Sequence, residues 1–210
     1  MFFSFDGIDG AGKSTQIALL VDYLKDAGHD VVTCRDPGST RLGESIRALL
    51  LDDHQTPISP VSELLLYMAA RAQLVREIIA PALEAGQVVV SDRFLLSNVV
   101  YQGHAGGVGA QAAWQIGQVA TGGISPDLTF VLDIAPEAAA SRMDRTLDRM
   151  EQRGDEYRRQ LRAGFLEEAD RQPEGIVVID AGASVEDVQT AVRAAAARFL
   201  PPNPAIPKSR

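Results

Sequence analysis

Residues 7–14 read Gly7-Ile8-Asp9-Gly10-Ala11-Gly12-Lys13-Ser14, the spacing G-x-x-x-x-G-K-S. Before it, Phe2, Phe3 and Phe5 form a short apolar run suited to a buried strand. After it, Ile17, Leu19, Leu20, Val21 and Leu24 follow a helical pattern. Strand, loop and helix are the context in which this spacing cradles phosphate. Glycines at 7, 10 and 12 let backbone N–H groups turn inward around an anion. The helix that begins near Lys13 points its positive end at that anion. Lys13 adds a charge near the β- and γ-phosphates, and the Ser14 hydroxyl is placed to ligate Mg2+. The stretch therefore predicts nucleoside-triphosphate binding.

Outward from the loop, apolar β-type runs recur at 2–5, 30–34, 87–91, 128–134 and 175–180. None alternates cleanly, which predicts strands buried on both faces of a parallel sheet. Helical patterns lie between them at 13–27, 42–51, 60–85, 110–121, 136–171 with a break, and 184–199. Gly28 and Gly86 fit helix stops; Pro60 and Pro136 fit first-turn positions. The alternation predicts an α/β sandwich, a five-stranded parallel sheet flanked by helices with right-handed crossovers. Residues 1–200 are expected to form one domain. The tail 201–210 holds four prolines and no apolar pattern, and is expected to be disordered.

The chain of 210 residues carries a formal net charge of -8. A general nucleic-acid surface needs a basic field, so no nucleic-acid partner is expected and anions must be met by local arginines. Cys34 is the single cysteine, which excludes an internal disulfide and fits a reducing, cytoplasmic setting. No apolar run is long enough for a membrane span, and an expected strand at residue 2 leaves no room for a signal peptide.

Four further constellations carry chemistry. Ser91-Asp92-Arg93 follows the run Val88-Val89-Val90, at the strand edge where open α/β sheets bind ligands. Asp92 is placed to act on Mg2+ or its water shell and Arg93 to hold a phosphate; a surface ion pair is the alternative. If the following stretch is helical, Asn98, Tyr101 and Gln102 share a face, as do Tyr67 and Arg71 in the helix 60–85. Either face could line a pocket or be ordinary helix surface. Arg142, Arg145 and Arg149 form one stripe, which suits a lid delivering guanidinium groups to a transferring phosphoryl group. Asp144 and Asp148 leave a salt-bridged solvated helix open.

These pieces in this order resemble the thymidylate kinase family. The resemblance runs from Phe3 to about Phe199. It rests on Phe5 to Thr15, Arg35-Asp36-Pro37-Gly38-Ser39-Thr40, Tyr67 to Arg71, Asp92-Arg93-Phe94 with Ser97 and Tyr101-Gln102-Gly103, Pro126-Asp127-Leu128, and Asp148-Arg149-Met150-Glu151. It implies a P-loop nucleoside-monophosphate kinase, with a mobile lid at about 142–154, that transfers the γ-phosphoryl group of ATP to dTMP for dTTP synthesis. It implies ATP contacts from Gly7, Ile8, Asp9, Gly10, Ala11, Gly12, Lys13, Ser14, Thr15 and Arg142. It implies dTMP contacts from Asp9, Arg35, Pro37, Tyr67, Arg71, Arg93, Asn98, Tyr101 and Gln102. Tyr67 would stack on thymine, Arg71 would bond the base at O4, and Tyr101 would crowd the sugar 2′ position. Lys13, Arg93, Asp9, Arg145 and Arg149 would serve the reaction, with Mg2+ held by Ser14 and, through water, by Asp92. A homodimer is also implied. Some relatives carry an arginine within the loop; here residue 10 is glycine, which fits the arrangement with arginines on the lid. The departures are Asp36 for the usual Glu, Ser39 for Gly, Phe94 for Tyr, and His-Ala-Gly-Gly-Val-Gly after Gly103. The rivals are a P-loop kinase of dUMP, UMP or CMP and a switch NTPase.

Overall fold

A computed structural model describes residues 1–51, 57–143 and 154–200. Its sheet has the order β2-β3-β1-β4-β5, with every neighbouring pair parallel. The strands are β1 (Phe2–Asp6), β2 (Val31–Arg35), β3 (Val88–Asp92), β4 (Leu128–Asp133) and β5 (Ile176–Asp180). Each falls on an expected apolar run. In β1, Phe2 joins one hydrophobic cluster with Val89, Leu64 and Phe94. Phe3 and Phe5 join another with Leu20, Val90 and Phe130. Alternate side chains thus enter cores on opposite faces, so the strand has no polar alternation to display. Burying each phenylalanine contributes on the order of 1.5–3 kcal/mol.

The helices are α1 (Lys13–Asp26), α2 (Arg41–Leu51), α3 (Pro60–Leu74), α4 (Ala80–Glu84), α5 (Leu95–Asn98), α6 (Ala110–Thr121), α7 (Pro136–Ser141), α8 (Asp155–Arg171) and α9 (Val185–Ala196). Pro60 and Pro136 open α3 and α7 as expected, and Gly28 and Gly86 follow the ends of α1 and α4. The Ser59 hydroxyl accepts from Ser62 N at 3.3 Å and starts α3. The Ser184 hydroxyl accepts from Asp187 N at 3.1 Å and starts α9.

Two π-helical segments depart from the simple pattern. Val75–Ile79 joins α3 to α4, where the Ala80 N–H reaches back five residues to Val75 O. Pro81 supplies the reason: it has no N–H for the carbonyl of Glu77 and its ring would crowd that group. Val99–His104 continues α5 and carries Tyr101 and Gln102. The expected helix 136–171 is interrupted, as its expected break required, between α7 and α8. Arg145 and Arg149, most of the 142–154 segment and the tail 201–210 lie outside the described residues. No helix among the described residues is long and apolar enough to cross a membrane.

Cys34 is buried at the end of β2, and burial pushes its thiol up to about 12, opposed by a Ser91 hydrogen bond. At pH 8 the thiolate fraction is then about a thousandfold below that of a free cysteine. Labelling by a disulfide reagent should be at least that much slower in the native protein than in denaturant; equal rates would contradict this packing.

Candidate active site

The register of the sheet builds the site. Phe5 pairs with Asp92 and Arg35 with Asp92, so the carboxyl ends of β1, β2 and β3 finish together. The loop after β1, the Arg35–Thr40 turn after β2 and Arg93 after β3 therefore meet at one edge.

Arg93 sits at the centre. Its N–H donates to Phe5 O at 2.9 Å, and its backbone takes the left-handed φ of 67°. An L residue rarely holds that conformation, and such strain concentrates at functional sites. The guanidinium donates to Gly7 O at 3.0 Å, Ser97 Oγ at 3.0 Å, Asp9 Oδ1 at 2.6 Å and Tyr101 Oη at 3.3 Å. Ser97 in turn donates to the buried Asp6. Burial alone would lower the Arg93 pKa, but Asp9, Tyr101, Asp92 and Asp6 outweigh it and hold it well above the usual value. Burial pushes the Asp6 carboxyl up. The Tyr101 hydroxyl also lies well above its usual range because it is buried, so it stays protonated and can donate to Asp9 Oδ2 at 3.3 Å.

Lys13 reaches back over the loop. Its Nζ donates to Gly7 O at 3.1 Å and Ile8 O at 2.9 Å, and lies 3.6 Å from Asp9 Oδ1. Burial, then the neighbouring Arg93, lowers its pKa. Asp9 is thus shared between Lys13 and Arg93.

Two cavities open here. The larger, about 840 Å3, is lined by the loop from Asp9 to Gln16, by Arg35, Arg47, Arg93 and Arg142, and by Ala181, Ala183, Val185 and Val188 on its far wall. The smaller, about 110 Å3, is lined by Pro37, Tyr67, Ser97, Asn98, Tyr101 and Gln102 together with Leu51. Asp9, Asp36, Arg47 and Arg93 border both. The described lining of the larger cavity has five basic side chains against Asp9, Asp36 and Asp92. A chain of net charge -8 thus reverses its sign locally, as phosphate binding requires.

The expected residues fall on this frame as follows. Gly10, Ala11, Gly12, Lys13, Ser14, Thr15 and Arg142 line the larger cavity, and Arg142 donates to Ala181 O at 3.0 Å. Gly7 and Ile8 offer carbonyls to Lys13 beneath it. Arg35 lines the larger cavity while pairing with Glu44 at 2.7 Å. Pro37, Tyr67, Asn98, Tyr101 and Gln102 line the smaller one. Arg71 lies behind that wall, 1% exposed, donating through Nε to Asp36 Oδ2 at 2.6 Å and through Nη2 to Asn98 Oδ1. Ser39 keeps the left-handed φ of 64° without glycine's freedom. Its hydroxyl accepts from Arg35 N at 2.9 Å and its N–H donates to Glu44 Oε1 at 2.7 Å, which compensates.

The residues that fit Mg2+ are oxygen donors. Ser14 and Asp92 both line the larger cavity. Asp92 Oδ1 is buried with no hydrogen-bond partner among the described residues, an acceptor left over for a cation or its water. Hydroxyl and carboxylate oxygens suit a hard cation.

Sequence reasoning missed Arg47, which borders both cavities and donates to Pro37 O at 3.0 Å. On the sequence it is one more charge on an amphipathic helix. It also missed Ala181, Ala183 and Val185. These follow β5, and the strand-edge rule that singled out Asp92 and Arg93 points equally to them.

A family model described as thymidylate kinase matches residues 5–192. A thymidylate kinase of Symbiobacterium thermophilum is 46% identical over 202 residues, 96% of this chain and 94% of that protein. One from Caldanaerobacter subterraneus subsp. tengcongensis is 44% identical over 200 residues, 95% of this chain and 96% of its own. The crystal structure of thymidylate kinase from Ehrlichia chaffeensis aligns with a TM-score of 0.76 at 31% identity, covering 93% of this chain and 98% of that one.

Residue 10 tests the loop geometry. It has a φ of +85°, and a Cβ there would lie 2.3 Å from Ala139 O in α7. Gly10→Arg should therefore destabilise the fold by at least about 2 kcal/mol, lowering Tm by roughly 4–8 °C. A melting temperature equal to that of the parent would show that the loop and α7 do not pack this way.

Proposed function

The chain belongs to the thymidylate kinase family, and from that premise we propose that it transfers the γ-phosphoryl group of ATP to dTMP, giving dTDP and ADP. The observation that carries this reading is the meeting of two cavities at Asp9 and Arg93. One cavity is built on the phosphate loop and the other on aromatic and amide side chains. A γ-phosphate in the first would face an acceptor phosphate in the second. Residues 1–200 act as one catalytic unit, in a cytoplasmic homodimer.

The acceptor oxygen is already anionic, so no strong general base is required. Catalysis rests on positioning and charge neutralisation. Lys13 exchanges its bonds to Gly7 O and Ile8 O for the β- and γ-phosphates. Arg93 bridges donor and acceptor and keeps Asp9 beside the acceptor sugar. Arg35 and Arg47 grip the dTMP phosphate from the opposite side. Tyr67 and Pro37 sandwich the base, Asn98 and Gln102 read its edge with Arg71 behind them, and Tyr101 crowds the 2′ position. Ser14, and Asp92 through water, would hold Mg2+, which when bound would neutralise charge on the phosphate oxygens. Arg142 borders the triphosphate site, and Arg145 and Arg149 complete the positive charge around the transferred group.

Lys13→Ala should lower kcat by about three orders of magnitude with the fold intact by circular dichroism. Chelation of Mg2+ should abolish turnover. The substrate is tested by ADP release with ATP, Mg2+ and each of dTMP, dUMP, UMP, dCMP and AMP. We expect dTMP to lead and hydrolysis without a monophosphate to be negligible. Preference for UMP over dUMP would remove the role given to Tyr101, and hydrolysis without any acceptor would favour a switch NTPase.

A further inference from the structure

Behind the smaller cavity runs an unbroken line of hydrogen bonds between four side chains, each no more than 3% exposed. Arg71 Nη2 donates to Asn98 Oδ1. Asn98 Nδ2 donates to Gln102 Oε1 at 2.7 Å. Gln102 Nε2 donates to Glu63 Oε1 at 2.9 Å. Glu63 and Arg71 lie two turns apart on α3, on the stripe that also carries Tyr67; Asn98 and Gln102 lie one turn apart on the facing helix. The two amides fill the gap between the two charged ends.

The chemistry of the ends fixes the direction of the line. A guanidinium only donates, and a carboxylate only accepts. Asn98 must therefore turn its oxygen toward Arg71 and its nitrogen toward Gln102, and Gln102 must turn its nitrogen toward Glu63. Both amides border the cavity assigned to the base. Thymine presents an N–H at position 3 beside an acceptor oxygen at 4; cytosine presents an acceptor nitrogen at 3 beside a donor amino group at 4. Amides free to turn over could satisfy either edge. Amides held in one orientation match one edge and leave buried polar groups unpaired against the other.

We propose that Glu63 is a positioning residue that sets base discrimination in the acceptor cavity by holding Gln102 in one amide orientation, as Arg71 holds Asn98 from the other end of the line. It touches no substrate; it acts through Gln102. This inference rests on the reading of the smaller cavity as the dTMP site.

The test uses Glu63→Gln, which keeps shape but can donate or accept, and Glu63→Met, which offers no acceptor oxygen. Steady-state kcat and KM are measured for dTMP and dCMP with saturating ATP and Mg2+, after near-UV circular dichroism and a melting curve show the variant folded. The parent enzyme is measured first. Failure of the parent to prefer dTMP over dCMP would count against the functional reading itself. Given that preference, a folded variant should show a dTMP KM raised about tenfold, a kcat within about threefold of the parent, and a dTMP-over-dCMP preference in kcat/KM reduced at least tenfold. An unchanged preference in either folded variant overturns the proposal and leaves the functional reading standing. Loss of kcat without a change in preference, or failure of both variants to fold, also overturns it and makes Glu63 a purely structural residue.

Discussion

The guanidinium of Arg93 joins two adjacent parallel strands at their carboxyl ends, and the site depends on that join. The register of β1 against β3 brings the first residue after β3 opposite the start of the phosphate loop. From there one side chain reaches Gly7 O, Asp9, Ser97 and Tyr101. Each contact belongs to a different part of the machinery: the loop backbone, the loop carboxylate shared with Lys13, the helix after β3, and the ring that borders the acceptor cavity. Its left-handed backbone is the conformational cost of placing one cation where all four can meet.

Charge concentrated in this way has to be balanced before ligands arrive. Lys13 rests on the carbonyls of Gly7 and Ile8, Arg93 on Asp9, Arg35 on Glu44, and Arg71 on Asp36. The Arg71–Asp36 pair is buried on both sides, and removing one partner of such a pair costs about 3–5 kcal/mol because the other charge is stranded. Asp36 places Oδ2 on Arg71 but leaves Oδ1 buried without a hydrogen-bond partner among the described residues. Burial pushes its carboxyl up against the opposing pull of Arg71. Exposed cations such as Arg35 can exchange partners cheaply when phosphate binds, whereas Arg71 is buried against Asp36 and held in place before any ligand arrives.

Much of this could be read from the sequence, for identifiable reasons. The loop is local: its glycines, lysine and serine act within eight residues, so spacing alone exposes them. The strands were legible because burial on both faces removes polar alternation, and the strand-edge rule then found Asp92 and Arg93. What stayed hidden depends on approach between elements distant in sequence. Arg47 matters only because α2 packs against the turn at Pro37. The position of Arg71 behind the cavity wall follows from Asp36 and Asn98, residues 35 and 27 positions away. Tyr67 and Arg71 share a helical face as their spacing required, yet one lines the cavity and the other its backing.

The glycine at residue 10 shows how packing constrains chemistry. Its absence of a side chain first read as a cation missing from the loop. The fold supplies a steric reason for that absence: α7 crosses the loop so closely that the Ala139 carbonyl occupies the place of a Cβ. A side chain at residue 10 would have to displace a helix that begins at Pro136, buries Ala139 and packs against α8. The loop could then no longer supply its own arginine. Positive charge beyond Lys13 must come from other elements that reach the cavity: Arg93 from β3, Arg35 from β2, Arg47 from α2 and Arg142 from the end of α7. The helix that excludes a cation at residue 10 thus ends by delivering one to the same cavity.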